Sequence, residues 1–113
     1  MFLMPSRFEP CGLGQMISMR YGALPIARAT GGLKDTVAEL GPQKGTGFLF
    51  SSYDQKTLTK TIKRAINLYY SDKEVWHQAQ LRAMEQDFSW TKSAKKYIKL
   101  YNKIADSSQI VRR

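Results

Sequence analysis

The sequence predicts an α/β domain: the C-terminal part of a doubly wound, Rossmann-like parallel sheet, with about three strands followed by three helices. Short apolar runs at residues 1–4, 24–27 and 48–50 are bounded by turn-forming residues, which is typical of buried strands. A short helical pattern separates the first two runs, as in a parallel βαβ unit. Three longer helical patterns follow the third run, and such helices would cover the sheet.

Turn-forming residues predict the boundaries in the first half of the chain. A helix is predicted from about residue 12 to residue 21, and Gly22 is the glycine that ends it. The pattern predicts a loop at residues 29–33, one helical turn at residues 35–40, and a polar connector at residues 41–47.

Capping residues predict where the three longer helices begin. Ser52 or Asp54 would cap the first helix, and a capping box at residues 71–74 would start the second. Ser89 would cap the third, which would give way to a frayed polar tail from Asp106 onward. The positions expected to be buried on the third helix recur at helical spacing: Trp90, Ala94, Tyr97, Ile98, Tyr101 and Ile104.

The positive charge of the chain is unevenly distributed. The 113 residues have a formal net charge of +9, from 18 basic and 9 acidic side chains. Residues 1–55 carry five basic and four acidic groups, whereas residues 56–113 carry thirteen and five. The helical half therefore has either solvated basic faces or a surface for nucleic acid or an acidic partner. No nucleic-acid-binding motif accompanies the charge, so solvated faces are preferred and a nucleic-acid partner is not expected.

The cysteine count and the hydropathy pattern indicate the compartment of the protein and whether it crosses a membrane. The single cysteine, Cys11, excludes a disulfide within the chain and suggests a reducing compartment. No apolar run approaches the roughly 20 residues that span a bilayer, so no membrane partner is expected. A thiolate at Cys11 is one alternative, but the one histidine, His77, is remote in sequence, so a Cys–His catalytic pair is not favoured.

Residues 5–15 form the candidate binding site. They join a predicted strand to a predicted helix through Pro10, Gly12 and Gly14, which suit a tight turn. The free N–H groups of a helix that begins near Gly12 suit a phosphate. The carboxylate of Glu9, just before them, can accept hydrogen bonds from hydroxyl groups. A nucleotide-sugar has both features; the alternative is an ordinary strand-to-helix turn with a solvated glutamate.

Four motifs in order resemble one known family. The chain has PSRFEPCGL at residues 5–13, ATGGLKDTV at 29–37, GTGF at 45–48 and DFSW at 87–90. The series, which extends to about Ile104, resembles the bacterial glycogen synthase and plant starch synthase family. The resemblance implies a retaining glucosyltransferase with two Rossmann domains (GT-B). It also implies ADP-glucose or UDP-glucose as donor, an α-1,4-glucan as acceptor, and no cofactor or metal.

The resemblance implies roles for individual site residues. Glu9 would lie beside the donor glucose and bind and orient its hydroxyls; the alternative is a covalent nucleophile, as in retaining glycosidases. Backbone N–H groups of Cys11, Gly12 and Leu13 would bind phosphate or glucose, and the Leu13 side chain would pack in the core. Further donor contacts would come from residues beyond the turn: Gln15, Thr30, Gly31 and Gly32.

Two features of these residues shape that expectation. Gly14 departs from the family, which often has a hydroxyl or amide side chain at this position, so Gln15 becomes the expected polar contact with the nucleotide. The glycine pair at residues 31–32 allows its backbone to approach either a ligand or another loop.

The resemblance also implies missing parts. Residues 1–105 would be the C-terminal portion of a donor domain and residues 106–113 a polar tail. The family's paired cations, its Lys-x-Gly-Gly-Leu loop and its acceptor-binding histidine lie upstream, mostly in a missing N-terminal domain, so the isolated chain is expected to be inactive and marginally stable. The expected location is the cytoplasm, or a plastid in a plant or alga. The alternative function is a non-catalytic binding or regulatory module that uses the basic helical face.

Overall fold

The computed structural model describes residues 1–110 and contains three parallel strands and five helices. The strands are β1 (Phe2–Met4), β2 (Pro25–Arg28) and β3 (Phe48–Phe50), and the helices are α1 (Gly14–Arg20), α2 (Gly31–Thr36), α3 (Gln55–Ser71), α4 (Lys73–Met84) and α5 (Trp90–Ile110). The α/β class and the three strands agree with the sequence prediction. Within the described range, no helix combines the length and apolarity needed to cross a membrane.

The sheet has the order β1-β2-β3, and both pairs of strands are parallel. Ile26 in the middle strand is opposite Leu3 on one side and Phe48 on the other. β2 is therefore largely buried, while Phe2 and Leu3 of β1 are 40% and 46% exposed. The prediction of a buried first strand is wrong for the described chain, because β1 is an edge strand that pairs only with β2.

The core lies between the sheet and the helices α1, α3 and α4. Phe48 of β3 and Trp76 of α4 stack with their ring centroids 6.0 Å apart. The other buried members of the cluster come from all three helices, β2 and the loops: Met19, Leu24, Ile26, Val37, Ala65, Ala79 and Ala83. This cluster holds α1 against the sheet and so determines where the segment between β1 and α1 lies.

Two helices near the candidate site differ from the predictions. α1 begins at Gly14, two residues later than predicted, because Gly12 has a φ of +70°, in the left-handed region. α2 covers Gly31–Thr36, where the sequence predicts a loop and a later helical turn. Two glycines in a first turn disfavour a helix by propensity, so tertiary contacts decide the structure of this segment.

Aspartates cap two of the longer helices. Asp54, one of the two predicted caps, starts α3 and accepts a hydrogen bond from the Thr57 N–H at 2.8 Å. Asp72 starts α4 and accepts from the Val75 N–H at 2.9 Å. The predicted capping box, which used Ser71, is wrong by one residue because the aspartate carboxylate reaches the third amide of the helix.

α5 begins where predicted but does not bury the predicted face. The Ser89 hydroxyl oxygen accepts from the Lys92 N–H at 3.3 Å, which confirms the predicted cap. The large side chains on that face are exposed, from 57% for Ile104 to 88% for Trp90. The prediction is wrong because no strand or helix of the described chain makes an extensive contact with α5.

The far end of α5 also differs from the prediction. The helix continues to Ile110 and so passes Asp106, where the sequence predicts a frayed tail. The backbone hydrogen bonds of a helix join residues four apart, so the polar side chains of this segment do not by themselves end it. The rest of the predicted tail, residues 111–113, lies outside the described residues.

Candidate functional site

The Glu9 loop, which we define as residues 5–13, follows the carboxyl end of β1. Ligands of open parallel sheets bind at this edge. Glu9 itself is half-buried, and the Ser6 hydroxyl donates to its Oε2 at 3.4 Å. The carboxylate is therefore neither a freely solvated group nor a core group, and it has a local donor that restricts its orientation.

The glycine pair of α2 lies against the Glu9 loop. The Gly32 N–H donates to the carbonyl oxygens of Glu9 and Pro10, each at 3.1 Å. A Cβ atom on Gly32 would be 2.0 Å from the Cys11 carbonyl oxygen, and one on Gly31 would be 2.1 Å from that of Glu9. Only glycine fits this close approach. Of the two partners that the sequence allows, a ligand or another loop, the structure shows the loop.

Gln15 is fully buried and supports the other end of the loop. Its Nε2 donates to the carbonyl oxygens of Cys11 at 3.1 Å and Gly12 at 2.9 Å, and to Thr36 Oγ1 at 3.0 Å. The Thr36 hydroxyl in turn donates to the Gly32 carbonyl at 2.6 Å, so α1, α2 and the loop are tied together. The predicted contact of Gln15 with a nucleotide does not fit this geometry, because the side chain is enclosed and its amide N–H groups are engaged.

The turn into α1 faces solvent. Cys11 and Leu13 are exposed, the latter at 67%, so the prediction that the Leu13 side chain packs in the core is wrong. The chain reverses at Gly12 and enters α1 with no side-chain cap on the first-turn N–H groups. Thr30, half-buried and extended, occupies the corresponding position before α2.

Arg28 is a component of the site that the sequence reasoning missed. It ends β2, and its Nε donates to the Ser6 carbonyl oxygen at 2.9 Å. Nη2 donates to the Arg7 carbonyl oxygen and Nη1 to that of Ser51 at 3.4 Å. The guanidinium also lies 5.7 Å from the ring centroid of Tyr53. The signal that could have found it is its position, since a charge follows a buried apolar run at the carboxyl end of a strand.

A cleft of about 640 Å³ adjoins the loop, between α1, the end of α2 and the start of α5. Leu13, Lys34, Asp87 and Lys92 are among its lining residues. Hydrogen bonds from the hydroxyl and N–H of Ser89 hold the pKa of Asp87 below its usual range, so this carboxylate stabilises the turn before α5. Among the residues that the structure describes, no group of three or more His, Cys, Asp and Glu side chains could hold a metal ion.

Residues 1–83 match the family model described as glycosyl transferases group 1. The chain belongs to this family. The matched region contains the Glu9 loop, Gln15, Arg28 and the glycine pair, and it ends within α4. The interlocked residues of the site therefore all lie inside the family match, whereas α5 lies outside it.

Curated relatives are similar over nearly the whole chain. The glycogen synthases of Thermotoga petrophila, Kosmotoga olearia and Desulforudis audaxviator are 55%, 51% and 56% identical over 104, 111 and 103 residues. The matches cover 90%, 96% and 89% of this chain, but only 21%, 23% and 21% of the relatives. The chain thus spans about a fifth of the length of the curated relatives it matches.

Two solved structures are also similar to this chain over nearly its whole length. The catalytic domain of starch synthase IV from Arabidopsis thaliana, bound to ADP and acarbose, has a TM-score of 0.81 and 44% identity, covering 91% of this chain and 22% of that one. Sucrose-phosphate synthase from Thermosynechococcus elongatus has a TM-score of 0.62 and 28% identity, covering 93% and 25%. These likenesses confirm the GT-B fold and the resemblance to glycogen and starch synthases.

Proposed function

We propose that this chain forms the donor-sugar side of the active site of an α-1,4-glucan synthase. The full enzyme would transfer glucose from ADP-glucose or UDP-glucose to the non-reducing end of a glucan, with retention. The observation that carries the proposal is the half-buried Glu9, on a loop held by Gly32 and Gln15 at the carboxyl edge of the sheet. Similarity to glycogen synthases, and to a starch synthase bound to ADP and acarbose, supports the choice of substrates.

Glu9 binds and orients the donor glucose in this proposal. An ionised carboxylate is a strong acceptor, and its two oxygens match adjacent sugar hydroxyls. The loop that carries Glu9 is fixed before the donor arrives, so its carboxylate needs little reorganisation when the sugar binds. Glu9 thereby sets the position of the anomeric carbon relative to the departing phosphate and the incoming glucan hydroxyl.

The backbone N–H groups of residues 11–13 are the proposed phosphate contacts. They lie at an exposed turn whose following helix has no side-chain cap, so they can donate to an anionic oxygen. Thr30 and Gly31 shape the crevice beside them. Gly32 acts indirectly, because its N–H already donates to the loop. Cations that stabilise the departing diphosphate would come from the rest of the enzyme.

The test of Glu9 uses the full-length polypeptide that carries this chain. Glu9→Gln keeps the size of the side chain and removes its charge, and kcat for glucan elongation should fall about 100-fold or more. Glu74→Gln is the matched control, because Glu74 is an exposed carboxylate on α4 that accepts from the Gln78 amide at 2.9 Å. A decrease smaller than about tenfold in Glu9→Gln would remove Glu9 from the site.

The isolated chain provides a second test. We expect the 113-residue chain alone to elongate no glucan with either ADP-glucose or UDP-glucose, because it spans about a fifth of its relatives. Transfer of labelled glucose by the isolated chain would contradict this expectation. In the full-length polypeptide, the same assay with the two donors compares their kcat/KM values and so identifies the nucleotide.

One observation favours a second candidate function, a non-catalytic module that binds an anionic partner. Lys56, Lys60 and Lys63 are exposed and recur at helical spacing on α3. Such a module would bind nucleic acid with an affinity that falls steeply as salt rises, and it would have no affinity for a nucleotide-sugar. Titration of the full-length polypeptide with both ligands at two salt concentrations separates the two functions.

A further inference from the structure

Arg28 connects two loops at the carboxyl edge of the sheet. Its guanidinium donates to the carbonyl oxygens of Ser6 and Arg7, which lead into Glu9, and to that of Ser51, which follows β3. Arginine has five N–H donors in a planar fork, so one side chain can bind several carbonyl groups at fixed angles. A lysine at this position could bind only one or two of them with the same geometry.

The contacts of Arg28 differ from those of an ordinary surface arginine. The side chain is half-buried, and among residues 1–110 it forms no ion pair with a carboxylate. Its hydrogen bonds go to backbone oxygens that belong to segments 21 to 23 residues away. A charged donor directed at main-chain carbonyls determines the path of the chain rather than balancing a charge.

The two halves of the Glu9 loop have different supports. The trailing half, residues 9–12, is held by the N–H of Gly32 and the amide of Gln15. The leading half, residues 5–8, receives its long-range hydrogen bonds within the described chain from Arg28. Loss of Arg28 would therefore free one half of the loop and leave the other half in place.

We propose that Arg28 is a positioning residue for Glu9, an inference that rests on the function proposed above. Arg28 holds the Ser6 backbone, and the Ser6 hydroxyl donates to the Glu9 carboxylate at 3.4 Å. Arg28 thus determines where the carboxylate meets the donor glucose without touching the sugar. A displacement of about 1 Å at a reacting group can lower the rate by about 100-fold, so the effect on catalysis is measurable.

Arg82 provides a matched control. It is also half-buried, and its Nε donates to a backbone carbonyl oxygen, that of Gly45, at 3.1 Å. Its partner lies on the connector between α2 and β3, away from the Glu9 loop. Arg28→Met and Arg82→Met therefore remove the same kind of hydrogen bond from two different loops, and both variants would first be checked for a folded state by circular dichroism.

The kinetic experiment compares these variants in the full-length polypeptide. Arg28→Met should lower kcat by about 10- to 100-fold with a smaller change in the donor KM, because binding groups are retained but misaligned. Arg28→Lys should recover part of the loss, since it keeps one charged donor. Arg82→Met should leave kcat within about threefold. Equal kcat values for Arg28→Met and Arg82→Met would overturn the inference.

Hydrogen–deuterium exchange tests the same inference without an activity assay. In Arg28→Met, the peptide that contains residues 5–9 should exchange faster, while the peptide around Gly32 should not change. In Arg82→Met, neither peptide should change. Unchanged exchange at residues 5–9 in Arg28→Met would overturn the inference whatever the kinetics. Faster exchange there would support it even if Glu9→Gln retained activity, a result that would refute only the proposed function.

Discussion

The Glu9 loop and α5 are ordered by opposite means. The loop has no regular secondary structure, yet hydrogen bonds from Arg28, Gly32 and Gln15 hold its backbone at several points. α5 is a regular helix of 21 residues, yet its large apolar side chains are exposed. The comparison shows that a segment can have regular secondary structure with few tertiary contacts, and that a segment without regular secondary structure can be held in place by tertiary contacts. A binding carboxylate needs fixation, because its position relative to the substrate determines its effect.

The difference predicts unequal responses to mutation. A change in the loop or its supports breaks contacts between segments that are far apart in sequence, so it should affect the whole fold. A change on the exposed face of α5 breaks few contacts with the other helices and strands of the described chain. Four substitutions test this difference; three have a matched control variant, and Ser89→Ala has a reference carboxyl group in the same chain.

The largest effect is expected from Gly32→Ala. The new Cβ would meet the Cys11 carbonyl oxygen at 2.0 Å, so the loop or α2 must move, at a cost of about 3 kcal/mol in the free energy of unfolding. Gly41→Ala is the control, because its Cβ would meet only the Lys44 side chain, at 3.5 Å. Urea unfolding measures both, and equal midpoints for the two variants would contradict the close approach.

A smaller loss is expected from Gln15→Leu. The substitution leaves the carbonyl groups of Cys11 and Gly12 without their buried donor, which should cost about 2 kcal/mol. Gln78→Leu serves for comparison, since the Gln78 amide donates only to an exposed carboxylate. Urea unfolding again gives the difference; a loss in Gln15→Leu no larger than in Gln78→Leu would show that this amide does not support the loop.

Ser89→Ala tests the start of α5. Loss of the Ser89 cap should lower the free energy of unfolding by about 1 kcal/mol. The pKa of Asp87 is lowered in the folded chain, so its stabilising contribution is present above the unfolded pKa and disappears as the pH falls through the folded pKa. A carboxyl titration by NMR should show the Asp87 pKa returning toward its usual range in Ser89→Ala. The pKa of Asp54, which hydrogen bonds from Thr57 lower, should not change in Ser89→Ala.

The smallest effect is expected from Tyr97→Ser on α5. Tyr97 is 59% exposed, and its ring contact is with Tyr101 of the same helix, so the free energy of unfolding should change by less than about 0.5 kcal/mol. Tyr69→Ser should cost more, because the Tyr69 ring contacts Trp76 edge-on at 5.2 Å and Lys73 at 3.2 Å. A larger loss for Tyr97→Ser than for Tyr69→Ser would mean that the exposed face is covered.

Sequence reasoning predicted the parts of the fold that depend on neighbours in the chain. The three strands, Asp54 as one of two candidate caps and the Ser89 cap were all visible as apolar runs and short-range capping patterns. Glu9 was also predicted as the candidate binding carboxylate; the structure places it after β1, at the carboxyl edge of the sheet, and its binding role stays a prediction. These features need only a few consecutive residues, so the printed sequence contains their signals.

The structure was needed for the supports of the site. α2 forms where its glycines disfavour a helix, because Gly32 must approach the Glu9 loop closely. Gln15 is a buried support rather than an exposed ligand group, because Thr36 and two loop carbonyls surround its amide. The α2 helix and the burial of Gln15 both depend on contacts between segments that are distant in sequence. A local sequence pattern does not show which distant segments come into contact.

The sequence by itself therefore determined the α/β class, the Ser89 cap of α5 and the place of Glu9 after the first strand, because these depend on local propensity and spacing. Only the tertiary structure decided that Arg28, Gln15 and Gly32 hold that carboxylate's loop, and that the apolar face of α5 is exposed in this chain. The physical reason is that these hydrogen bonds and this burial depend on which distant segments of the chain come into contact, and those contacts form only when the chain folds.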